Sequence, residues 1–198
     1  MMVLPQSISK LRAKPAPLSM LLLMGFCMAI YLRVIIGGVE VRTSGIAGLI
    51  FAACLAVLIW ANGIKPVKPN RRSIIVGLLG GIFLCLPSVV VYLKNGHSYP
   101  AGNYFTWAIV VSIVAIIEEA FLRGTLFDTV SRWRGITTAL VVTSLAFALL
   151  HVPLYGWQIL PLDIAVGFWL GTLRIVSKDF AAPAIAHVFA DLAGWWLR

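Results

Sequence analysis

The chain has 198 residues, 61% hydrophobic and 12% charged, with a net charge of +9. A soluble domain is about 45–50% apolar and about 25% charged; this balance excludes water as the main solvent and implies lipid. The basic residues sit between apolar runs, where they match topology signals and anionic headgroups rather than nucleic acid.

A spanning helix needs about 20 mostly apolar residues. Lys10, Arg12 and Lys14 precede the first such run, 18–36. No small-residue cleavage site follows it and further apolar runs do, which predicts a retained first helix rather than a removed leader. The next runs are 44–62, 73–93, 103–122, 136–155, 158–176 and 180–197. The expectation is an all-α polytopic bundle of about seven transmembrane helices, or eight if one span is broken or re-entrant. The clearest breaks are Gly37-Gly38, Asn62 to Arg72 and Asn95 to Gly102. The whole chain, 1–198, reads as a single membrane domain, with N-terminal helices over 15–102 and chemistry-bearing helices over 103–198. With a cytoplasmic N-terminus, twelve of the 16 Lys and Arg fall inside and only Arg33, Arg42, Lys94 and Arg198 outside. The positive-inside rule therefore favours that orientation. Cys27, Cys54 and Cys85 each lie in an apolar run, with no disulfide or metal spacing.

A charge at mid-membrane costs about 2.5–3.5 kcal/mol on insertion scales, so it usually has a partner or a task. Five such residues stand well inside the runs: Glu118, Glu119, His151, His187 and Asp191; His97 falls in a loop. Residues four apart share a helix face. Glu119 and Arg123 are so spaced, which pairs and orients Glu119 and leaves Glu118 free to face a cavity. His187 and Asp191 repeat the spacing on the last run, and Phe147 and His151 on the fifth. If the fourth helix continues to about Ser131, Glu118 stands roughly 20 Å above its cytoplasmic end at about 1.5 Å per residue. His151 reaches a similar height on the next helix. The expectation is one buried chamber fed by three helices.

Such a set supports hydrolysis. A carboxylate in a low-dielectric site is a stronger general base, a histidine across the cavity can hold the same water, and a second histidine can donate to an oxyanion. Two histidines and a carboxylate, Glu118, His151 and His187, also suit a catalytic zinc, but there is no HExxH motif to favour it. No serine stands in a GxSxG setting.

In chain order these residues spell EExxxR (Glu118, Glu119, Arg123), FxxxH (Phe147, His151) and a histidine with Asp four residues on (His187, Asp191). This ordered trio, over about 103–197, resembles the CPBP family, the CAAX-protease and bacteriocin-processing (Abi) proteins. The resemblance implies an intramembrane endopeptidase that cleaves near the C-terminus of a peptide or protein. It implies that Glu118 activates water with help from His151, and that His187 and Asp191 form the oxyanion hole. It also favours a metal-free glutamate mechanism, zinc being the older description. The implied setting is a prokaryotic cell (inner or plasma) membrane, and the implied partners are the bilayer and a substrate with a membrane-associated C-terminal segment. Prenyl-protein proteases of the family usually have Asn where this chain has Asp191, and a carboxylate donates a hydrogen bond only when protonated; Asp191 would then either orient His187 instead or be kept neutral by burial. Other uses of these residues stay open at this point: myxosortase-like processing of C-terminal sorting tails, proton- or ion-coupled transport, and non-catalytic bacteriocin immunity.

Overall fold

The computed structural model describes residues 15–63, 68–96 and 102–197. Lys10, Arg12, Lys14, Lys65, His97 and Arg198 lie outside them. Seven helices follow one another and, among the described residues, there is no strand: α1 (Pro15–Gly37), α2 (Gly45–Ala61), α3 (Arg71–Asn95), α4 (Tyr104–Arg134), α5 (Ile136–Tyr155), α6 (Leu160–Ser177) and α7 (Ala181–Trp196). Polar residues in the sequence breaks start three of them. The side chains of Ser44, Asn70 and Asn103 accept from the backbone N–H of Ala47, Ser73 and Thr106, capping otherwise unpaired donors. Gly135 alone separates α4 from α5; its φ of +88° suits a residue without a Cβ.

Among the described residues, five helical stretches are long and apolar enough to cross a membrane, ending with Trp157–Ser177. The runs 44–62 and 180–197 yield shorter helices than expected. With 17 and 16 residues, α2 and α7 extend only about 26 and 24 Å at 1.5 Å per residue, less than a core of about 30 Å. α4 is longer than its apolar run, because it continues past Arg123 to Arg134.

The bundle turns apolar side chains both inward and outward, as a bilayer requires. On α1, Leu22, Phe26 and Ala29 are buried, while Met20, Leu21, Met24, Met28 and Ile35 are exposed. Phe26 stacks on Phe121 of α4 with ring centroids 5.3 Å apart, and lies 6.4 Å from Phe51 of α2. These rings join the N-terminal helices to α4.

α7 is held against α3 by small residues. A Cβ at Gly77 would come within 2.8 Å of the Ala182 carbonyl and of Ile185 Cβ; one at Gly81 would come within 2.9 Å of Phe189 Cβ. Such close approach is the membrane route to tight helix packing. Asp179 fastens the same end: its carboxylate accepts from Ser73 Oγ, from Asn70 Nδ2 (3.3 Å) and from the Ala181 N–H (3.0 Å). Likewise α6 seats on α5, where a Cβ at Gly167 would lie 2.9 Å from the Ser144 backbone. Cys27 is exposed, Cys54 half-buried and Cys85 buried, all as free thiols.

Candidate active site

Glu118 and Glu119 end the regular part of α4, and Ala120–Leu126 continues it as a π-helix. A π turn bonds i to i+5 and is frequent at functional sites. Its widened turns draw on side-chain donors: Arg174 Nε gives a 2.8 Å bond to the Arg123 carbonyl, and Thr129 Oγ1 one of 2.8 Å to the Thr125 carbonyl. Arg174 is tied in turn to Asp128 at 2.7 Å. The α-helical spacing used to read the sequence therefore stops at Glu119.

The expected pair forms even so. Arg123 Nη1 donates to Glu119 Oε1 at 2.8 Å, and neither side chain has any exposed surface. Arg123 Nη2 donates to the Gly167 carbonyl at 3.2 Å, and its guanidinium lies 4.8 Å from the Phe147 ring centroid. One cation thus ties α4 to α5 and α6. His187 Nδ1 meets the same Glu119 oxygen at 3.1 Å, bringing in α7 from 68 residues away. Since a carboxylate oxygen accepts, Nδ1 carries the hydrogen. His187 Nε2 faces Asp191 Oδ2 at 3.6 Å, beyond hydrogen-bond length.

Phe147 is the hub of the second motif. Its ring lies 4.5 Å from that of His151 and 5.5 Å from that of His187, centroid to centroid. Its carbonyl is 2.9 Å from His151 Nδ1. A carbonyl only accepts, so Nδ1 bears the proton and, in the neutral ring, Nε2 keeps its lone pair for another donor.

Two residues were not among the sequence candidates. Glu118 is 3% exposed, but it is not the unpaired carboxylate expected: Arg33 Nη1 of α1 donates to its Oε1 at 3.4 Å. Asp163 of α6 is buried and places Oδ2 3.8 Å from His151 Nδ1. Both were legible as charges on inward stripes. Arg33 continues Leu22, Phe26 and Ala29 at spacings of four, three and four, and Asp163 begins a stripe with Gly167 and Leu170. The orientation count places Arg33 outside and Arg123 inside. Arg33 is half-buried and Arg123 buried, each against a glutamate, which removes one residue from each side of the count and leaves the inside excess.

The five residues therefore gather, with Arg123, Phe147, Arg33 and Asp163 between them. For a zinc on Glu118, His151 and His187, both rings are held through Nδ1, by Glu119 and by a backbone carbonyl, so Nε2 is the nitrogen each would offer. Among the described residues, no three His, Cys, Asp or Glu side chains are grouped to share an ion.

Compared with known protein families, residues 100–193 match the type II CAAX prenyl endopeptidase Rce1-like family. The matched stretch contains Glu118, Glu119, Arg123, Phe147, His151, His187 and Asp191; it does not contain Arg33. No curated protein and no solved structure matches the chain.

Proposed function

Because residues 100–193 form an Rce1-like domain, of the CAAX-type intramembrane protease family, we propose that this chain hydrolyses a peptide bond near the C-terminus of a membrane-associated peptide or protein, using water activated by Glu118. The observation that carries this reading is the meeting of all three motifs around one buried carboxylate pair, sealed by the Glu119 contacts to Arg123 and His187.

The reaction follows from which atoms are engaged. Glu118 takes a proton from a water, whose oxygen attacks the substrate carbonyl carbon. His151 Nε2, left as an acceptor by the Phe147 carbonyl at Nδ1, holds that water's other hydrogen. The carbonyl oxygen gains charge and accepts a hydrogen bond from Nε2–H of His187, which acts as the doubly protonated imidazolium with Nδ1–H on Glu119 and Asp191 3.6 Å from Nε2. The C–N bond then breaks, and the proton on Glu118 passes to the leaving amine. Glu119 and Arg123 fix the rings rather than touch substrate. Asp191 sets the His187 ring in place and gives it up to the oxyanion. Each step of this reading is assigned to a protein group and invokes no metal. The working site is a prokaryotic plasma or inner membrane.

The test uses the full chain in nanodiscs with a fluorescence-quenched farnesylated peptide ending in a CAAX tail, and its unprenylated counterpart. Cleavage by wild type and its loss in a folded Glu118→Gln variant are expected. Full cleavage by folded Glu118→Ala overturns the proposal. Cleavage of both peptides assigns recognition to the tail rather than the lipid, and cleavage of the farnesylated one alone assigns it to the lipid.

A further inference from the structure

The two adjacent glutamates are held in parallel ways. Glu119 is met by Arg123, whose guanidinium lies over Phe147 at 4.8 Å. Glu118 is met by Arg33, whose guanidinium lies over Phe51 at 5.0 Å. The first arrangement is built within the family-matched region. The second is built from α1 and α2, outside it. Arg33 is the half-buried continuation of the α1 core stripe, with its side chain 12% exposed. Its Nε is buried and makes no hydrogen bond among the described residues. Gly48 of α2 lies beside it, where a Cβ would stand in ordinary contact, 3.9 Å from Arg33 Nη2 and 3.4 Å from Val114 Cγ2.

Resting on the hydrolytic reading above, we infer that Arg33 is the positioning residue for Glu118, fixing its carboxylate toward the reacting water from a helix that the family motifs do not include. Three features favour this over packing. A guanidinium is costly in an apolar span and is retained where it has a partner. The contact is made through one nitrogen at 3.4 Å, which leaves Glu118 its second oxygen for water. The guanidinium is also held over the Phe51 ring at 5.0 Å, which fixes the direction from which it meets Glu118. Recognition of a substrate's terminal carboxylate is the competing use of such a cation. A chain end two or three residues beyond the scissile bond is roughly 7–10 Å from it, too far for a guanidinium committed to Glu118.

Two measurements decide it. On the farnesylated CAAX peptide, Arg33→Ala should lower kcat about a hundredfold with KM unchanged, the scale of a misplaced catalytic group. Arg33→Lys should keep more activity than Arg33→Ala, and added guanidinium should restore part of the loss. Wild-type kcat in Arg33→Ala, or a loss confined to KM, overturns the assignment. The second measurement needs no substrate. In nanodiscs, Arg33→Ala should lower the unfolding temperature more in the wild-type background than in Glu118→Gln, because only the former strands a carboxylate. Equal drops in both backgrounds overturn the pairing. If the peptide stays intact with wild type while the drops differ, the hydrolytic reading fails and the Arg33–Glu118 pair stands.

Discussion

Replacing Arg123 with Met tests the structural centre of the site. The side chain is wholly buried and donates to Glu119 at 2.8 Å and to the Gly167 carbonyl at 3.2 Å, with Phe147 under its guanidinium. Met fills a similar volume, so packing changes little and the effect is electrostatic. Removing one partner of a buried pair costs about 3–5 kcal/mol, because the other charge is stranded. Here Glu119 keeps only the His187 contact at 3.1 Å. Glu119→Gln in the same chain removes the stranded charge. The double variant should therefore recover about 1–3 kcal/mol relative to the sum of the two singles, the size of coupling seen between contacting groups. Unfolding of purified protein in mixed micelles, followed by far-UV circular dichroism, measures all four chains. A cost under about 1 kcal/mol for Arg123→Met, or strict additivity in the cycle, would falsify the reasoning.

Four further outcomes are expected. Glu118→Gln lowers the cleavage rate by about 10²–10⁴-fold, the contribution of a general base, without lowering helix content; a quenched-peptide assay beside circular dichroism reads both. Asp191→Asn reduces kcat less than His187→Ala, because an amide still orients the ring and can itself donate to an oxyanion; a larger loss in the Asn variant counts against the orienting role. Cleavage continues after exhaustive chelation with EDTA and 1,10-phenanthroline, and loss that zinc restores would overturn the metal-free reading. Gly77→Val forces α7 from α3, since even a Cβ would stand 2.8 Å from a backbone oxygen; about 1–3 kcal/mol of stability is lost and cleavage falls with it. Unchanged melting in that variant would show that the two helices are not held by close approach.

Apolar runs separated by Gly, Asn and basic residues were enough to read seven helices, because hydropathy and capping act within a few residues of sequence. The Glu119–Arg123 and His187–Asp191 pairings were equally legible, since four-residue spacing fixes a shared face. What sequence periodicity does not carry is the partner across the bundle. Glu118 reads as unpaired along α4 because its cation arrives from α1, 85 positions earlier. Glu119 reads as having one partner because the second, His187, belongs to a helix whose placement depends on Gly77, Gly81 and Asp179. The π-helix was also hidden, because nothing in Ala120–Leu126 marks a change from i+4 to i+5 bonding before the Arg174 contact is seen. At α2 and α7 the apolar run is longer than the helix it forms, 17 and 16 residues.

The distance along the chain between Arg33 and Glu118 has a consequence for how the protein is made. Arg33 emerges during synthesis long before its carboxylate exists, so α1 enters the bilayer with its cation unmatched. Lying four residues from the α1 terminus at Gly37, Arg33 can reach the headgroup layer in the meantime, as long basic side chains near helix ends do. Its contact with Glu118 can form only once α4 has been made, so the first hairpin by itself carries a cation whose partner comes with the motif helix.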